Sequence, residues 1–139
     1  MKIGIVTIYN VPNYGAILQA YSLAEYLRRE GHEVVLFNVD SPKRHPYIYK
    51  LKRLFKLGFI DKFQQRNYPA ITSNLNEEVD IYMVGSDQVW NIEITQADYD
   101  KYFLAFALHN RKVSYAASFG NNEWDFPSKR NEIRGFLSA

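Results

Sequence analysis

Asp80-Ile81-Tyr82-Met83-Val84-Gly85-Ser86-Asp87-Gln88-Val89-Trp90-Asn91 is an apolar run that stops at a glycine and opens into a cluster of hydrogen-bonding side chains. Such a sequence reads as the end of a buried strand. In an open α/β sheet, ligands bind outside the carboxyl ends of the strands, so polar groups in this position are where function is expected. Gly85 allows a sharp turn or a close backbone approach, and Ser86, Asp87 and Gln88 offer hydroxyl, carboxylate and amide groups within one turn. Trp90 adds a flat apolar face. Together they suit a sugar, which has hydroxyls to bond and a C–H face to stack. Taken alone, the same residues read more simply as a capped turn, with Ser86 or Asp87 accepting backbone N–H groups and Trp90 in the core.

Working outward, Ile3 to Ile8 is nearly continuous in apolar and β-branched residues, as in a strand buried on both faces of a parallel sheet. From Ala16 to Glu30, Ile17, Leu18, Tyr21, Ala24 and Leu27 recur at helical steps, and Gly31 stops the helix as its C′ residue. Glu33 to Val39 is a second apolar run, which completes a strand–helix–strand unit. Between the first strand and its helix lies Tyr9-Asn10-Val11-Pro12-Asn13-Tyr14-Gly15. This loop has one glycine where the dinucleotide fingerprint needs three, and no Walker lysine. Asn10, Asn13 and Tyr14 suit a neutral polyol, with Gly15 beside them; a turn in which the asparagines satisfy local backbone accounts for them equally well.

Pro69 to Glu78 reads as polar connection, and Ile92 to Leu108 fits either a helix or a segment with a short extended piece. Lys112 to Ser118 reads as another buried strand, and Asn121 stands in the polar, glycine-containing loop beyond it. Pro127-Ser128 begins a helix with Ile133, Phe136 and Leu137 on one face. The chain stops in mid-helix at Ala139, and we expect it to be truncated. The fold class is therefore α/β, a single Rossmann-like domain over 1–139 with a parallel sheet and helices on both faces.

At 139 residues, with 47% apolar and 16% aromatic content, the chain can bury a core of its own. Seventeen Lys and Arg against fifteen Asp and Glu leave a net charge of +2, too small to imply a nucleic-acid partner. The absence of cysteine excludes disulfides and thiolate chemistry, and His32, His45 and His109 have no metal-ligand spacing, so no metal is expected. No signal peptide or membrane span is legible, which points to the cytoplasm. Residues 43–66 differ from the rest: eight of the seventeen basic residues interleave with Tyr47, Tyr49, Phe55, Phe59 and Phe63. We read this stretch as a basic aromatic helical insertion over the sheet or near the cleft, with peripheral contact to an anionic inner membrane surface through 47–63 as a second reading.

Four blocks resemble the N-terminal part of the polysaccharide pyruvyl transferase family. They are Lys2-Ile3-Gly4-Ile5-Val6-Thr7 with Asn13-Tyr14-Gly15-Ala16-Ile17-Leu18-Gln19-Ala20-Tyr21; Gly85-Ser86-Asp87-Gln88-Val89-Trp90-Asn91; Tyr102-Phe103-Leu104; and Lys112-Val113-Ser114-Tyr115-Ala116-Ala117-Ser118-Phe119-Gly120. The resemblance implies the N-terminal half of a GT-B-like two-domain architecture. It also implies transfer of pyruvate from phosphoenolpyruvate, as a ketal, to a cell-surface polysaccharide precursor, without a cofactor. In the family the donor-binding basic residues lie mainly in the C-terminal half. This chain would then form the acceptor side and be inactive alone, with Asp87 accepting a proton or hydrogen bond from an acceptor hydroxyl. Asn10, Asn13, Tyr14, Gly15, Gly85, Ser86, Gln88, Trp90 and Asn121 would line the acceptor site. Two alternatives remain at this stage: the acceptor half of a GT-B-like glycosyltransferase, and a non-catalytic sugar-binding or protein-interaction module.

Overall fold

The computed structural model describes residues 1–39, 58–107, 111–122 and 126–138. Its centre is a five-stranded sheet formed by β1 (Lys2–Val6), β2 (Glu33–Phe37), β3 (Ala70–Thr72), β4 (Ile81–Val84) and β5 (Arg111–Ser114). The strand order is β3-β2-β1-β4-β5, and every pairing is parallel. Helix α1 (Tyr14–Arg29) joins β1 to β2. A helical stretch at 58–67, α2, precedes β3. Two short helices, α3 (Ile92–Thr95) and α4 (Tyr99–Tyr102), lie between β4 and β5, and α5 (Arg130–Ser138) follows the last strand.

Side-chain alternation in the strands builds two cores. On one face Ile3, Ile5, Val34 and Leu36 are buried with Ala20, Leu23, Ala24 and Leu27 of α1. On the other, Val6, Val35, Phe37, Tyr82 and Val84 pack with Tyr102 and Leu104, so both faces of the sheet are covered. Each large aliphatic side chain buried this way contributes roughly 1.5–3 kcal/mol. Phe37, Tyr82 and Phe106 form an aromatic triangle with ring separations of 5.3–5.9 Å. Gly4 makes the space for it, because a Cβ there would run into the Phe37 ring.

Helix α1 ends where the sequence places its stop. Gly31 has φ +85°, His32 N donates to Leu27 O and Gly31 N to Arg28 O, each at 3.1 Å. These two bonds satisfy carbonyls that the last turn leaves open. Two readings need correction. Residues 70–72 form an edge strand, β3, inside the segment read as polar connection; three residues with exposed Ala70 and Ile71 carry too little apolar pattern to announce it. The strand read as buried over 112–118 is β5, shorter and exposed at three of its four residues, because it pairs only with β4 at the sheet's edge. Of the two alternatives left open for the segment from residue 92, the structure has the helical one over 92–107, as short helical turns. Residues 43–57 of the basic aromatic stretch lie outside the described residues. Among the described residues no helix is long and apolar enough to cross a membrane.

Candidate functional site

In this strand order the chain leaves β1 toward β2 on one side and meets β4 on the other, so the direction of winding reverses between β1 and β4. The crevice beyond the strands' carboxyl ends at such a reversal is the usual ligand position in these sheets. Gly85 N donates to Val6 O at 3.0 Å, extending the β1–β4 contact into the loops. The Gly85–Ser86 peptide is cis, and Gly85 has φ +110°. A side chain at Gly85 would collide with the carbonyl oxygen of Tyr115, so glycine lets the loops after β4 and β5 pass in contact.

Three side chains form a closed ring across this point. Thr7 Oγ1 donates to Ser86 O at 2.9 Å, Ser86 Oγ donates to Gln19 Oε1 at 2.6 Å, and Gln19 Nε2 donates to Thr7 Oγ1 at 2.9 Å. Gln19 Nε2 also donates to Ile8 O at 3.1 Å. Thr7 is buried, while Gln19 and Ser86 are half-buried. The ring ties the loop after β1, helix α1 and the loop after β4 into one unit.

Asp87 follows on the same loop. Its backbone has φ +95°, outside the region where non-glycine residues rest easily. It is held there by the loop after β5: Asp87 pairs with Ala117, and its carbonyl accepts from Ser118 N at 3.1 Å. Asp87 Oδ1 accepts from Gln88 N at 2.7 Å. Among the described residues the carboxylate has no cationic partner. The Gln88 side chain lies against Gly120 (φ +75°), where a Cβ would sit 2.6 Å from its amide oxygen. Asn121 is the next residue, so Gly85, Ser86, Asp87, Gln88 and Asn121 belong to two loops in contact.

The first loop is different. Asn13 is the N-cap of α1, its Oδ1 accepting from Gly15 N at 2.8 Å and Ala16 N at 3.3 Å. Those N–H groups are therefore satisfied within the chain, and Gly15 is part of the capped turn. Asn10 is exposed and Tyr14 is 53% exposed at the helix start. No hydrogen bond joins Asn10, Asn13 or Tyr14 to Ser86 or Asp87; the link between the loops runs through Thr7 and Gln19. Trp90 stacks on Phe103 at 5.7 Å with 6° between the rings, contacts Phe119, and donates from Nε1 to Tyr102 O at 3.2 Å. A cavity of about 370 Å³ has Trp90 in its wall with Val84, Phe103 and Leu104, but it opens beside β5 and Phe136, and neither Ser86 nor Asp87 lines it.

Thr7 and Gln19 are the residues of this site that sequence reasoning passed over. Each left a trace: Thr7 interrupts the apolar run from Ile3 to Ile8, and Gln19 stands among Ala16, Ala20 and Leu23 on the buried side of α1. A lone polar residue in an apolar pattern needs a buried partner.

The fold is a doubly wound α/β domain, and among the described residues the loops at its switch point carry hydroxyls, amides and one carboxylate, Asp87. The family model described as polysaccharide pyruvyl transferase matches residues 13–137, and the chain belongs to that family. No curated protein and no solved structure matches it.

Proposed function

We propose that this chain forms the acceptor-facing wall of a pyruvyl transferase with a GT-B-like plan, and that Asp87 receives a proton or hydrogen bond from a sugar hydroxyl. The observation that carries this reading is the chemistry of the described residues in the loops after β1, β4 and β5 and in α1. Thr7, Asn10, Asn13, Tyr14, Gln19, Ser86, Gln88 and Asn121 are uncharged at neutral pH, and Asp87 is acidic. Phosphoenolpyruvate is a polyanion and needs cations around its carboxylate and phosphate. A wall of hydroxyls and amides with one carboxylate instead suits a neutral diol that must lose protons.

In the reaction the two acceptor hydroxyls form C–O bonds to C2 of the enolpyruvyl group, whose bond to the phosphate oxygen breaks. Of the two protons released, one goes to C3, making the methyl group, and the other leaves with phosphate. A base beside the acceptor assists the first step, and donor-holding cations must come from outside this wall. The protein as its native gene encodes it should release phosphate from phosphoenolpyruvate only when a sugar is present, tested with methyl pyranosides of glucose, galactose and mannose. Sugar-independent release, or transfer from a nucleotide sugar instead, would refute the proposal.

A further inference from the structure

Two backbone carbonyls determine the direction of every proton in the Thr7–Gln19–Ser86 ring. A carbonyl oxygen only accepts. Ile8 O, 3.1 Å from the Gln19 amide, therefore requires the NH₂ end there, because a carbonyl oxygen in its place would meet Ile8 O with like charge. The second N–H goes to Thr7 Oγ1, and Thr7 must spend its own proton on Ser86 O. Gln19 Oε1 is left facing Ser86 Oγ at 2.6 Å, so the serine proton is committed to it. What Ser86 retains for the crevice is lone pairs.

From this geometry we infer that Gln19 is a positioning residue that makes Ser86 an acceptor-only group, and that Ser86 selects an acceptor hydroxyl by taking its hydrogen bond. Asp87 alongside is also acceptor-only when ionised. Adjacent residues thus present two acceptors to a ligand with two donor hydroxyls, the arrangement a diol needs and a phosphate or carboxylate repels. The inference rests on the acceptor-wall reading and specifies how that wall recognises its ligand.

Substituting Gln19→Glu probes the ring without any ligand. The introduced carboxyl would face Ile8 O and Thr7, where only its protonated form can donate. Among the described residues, the titratable groups nearest in sequence to its partners are Tyr9, two residues after Thr7, and Asp87, next to Ser86; neither supplies positive charge. None of Asp61, Lys62 and Arg66 on α2 bonds to Gln19, Thr7 or Ser86. We expect carbon-13 NMR of the full chain to find this carboxyl titrating above the ordinary glutamate range. In the phosphate-release assay, Ser86→Ala and Gln19→Leu should each raise the acceptor KM about tenfold, with no further rise in the double variant and no change in the KM for phosphoenolpyruvate. Gln19→Glu should bind the acceptor progressively more weakly, relative to the wild type at the same pH, as pH rises through the raised carboxyl pKa. An ordinary carboxyl titration, additive KM effects, or an equal rise in the donor KM would overturn the inference. If no pyranoside supports turnover, the transfer reading fails, and the titration still decides the ring.

Discussion

The carbonyl oxygen of Tyr115 occupies the space that a side chain on Gly85 would fill. The loops after β4 and β5 meet at this contact, and Tyr115 N donates to Val84 O at 2.9 Å just below it. Gly85 also has φ +110°, so any substitution strains the backbone as well as the contact. Gly85→Ala should cost about 3 kcal/mol or more in urea unfolding. Gly135→Ala in α5 is the control, because a Cβ there meets nothing within 4 Å; it should gain about 0.5–1 kcal/mol as an ordinary helix substitution. Similar effects at the two positions would contradict the close-approach account.

Asn13 caps α1 through Oδ1, and aspartate carries an oxygen in the same place. Asn13→Ala should lose about 1 kcal/mol of stability. Asn13→Asp should retain it, because the carboxylate also interacts favourably with the helix N-terminus. Thermal unfolding of both variants checks this; an equal loss in the two would mean that the cap does not stabilise the helix.

Tyr68 fastens the chain before β3 to α1, its hydroxyl donating to Ile17 O at 3.0 Å. Burial pushes its phenol above the ordinary 10.0, against a smaller lowering by Gln64. The folded state therefore favours the neutral phenol. Its contribution is complete below the unfolded value and is lost as pH rises through the folded pKa. The stability difference between wild type and Tyr68→Phe should be constant below about pH 10 and shrink above it. Urea midpoints for the pair across that range measure the change directly, and a constant difference would rule out the linkage.

Much of the fold was legible because long apolar patterns announce buried elements. The helix stop at Gly31 and the break at Gly85 appear where the sequence puts them, and the run from Ile3 to Ile8 contains β1, which ends two residues earlier at Val6. Edge strands were not legible in the same way. β3 and β5 each lie at a margin of the sheet with most residues exposed, so apolar content and burial part company there. For the candidate site, the position of its residues in the fold was legible, since Ser86, Asp87 and Gln88 follow β4, a central strand, at the switch point. Its internal wiring was not, because Gln19 and Ser86 are 67 residues apart and only the folded chain brings them to 2.6 Å. Trp90 shows a further limit: an indole in a polar motif has the same one-letter code whether its face is open or, as here, stacked on Phe103.

Asp87 carries the central claim, and Asn is the discriminating replacement. Asp87 Oδ1 accepts from Gln88 N, and the asparagine oxygen keeps that bond while losing the ability to take a proton. The decisive measurement is sugar-dependent phosphate release from phosphoenolpyruvate by the Asp87→Asn protein, alongside its thermal unfolding. The account predicts turnover reduced by about 10²–10⁴-fold with an unchanged melting temperature. Wild-type turnover in a folded Asp87→Asn protein would contradict it.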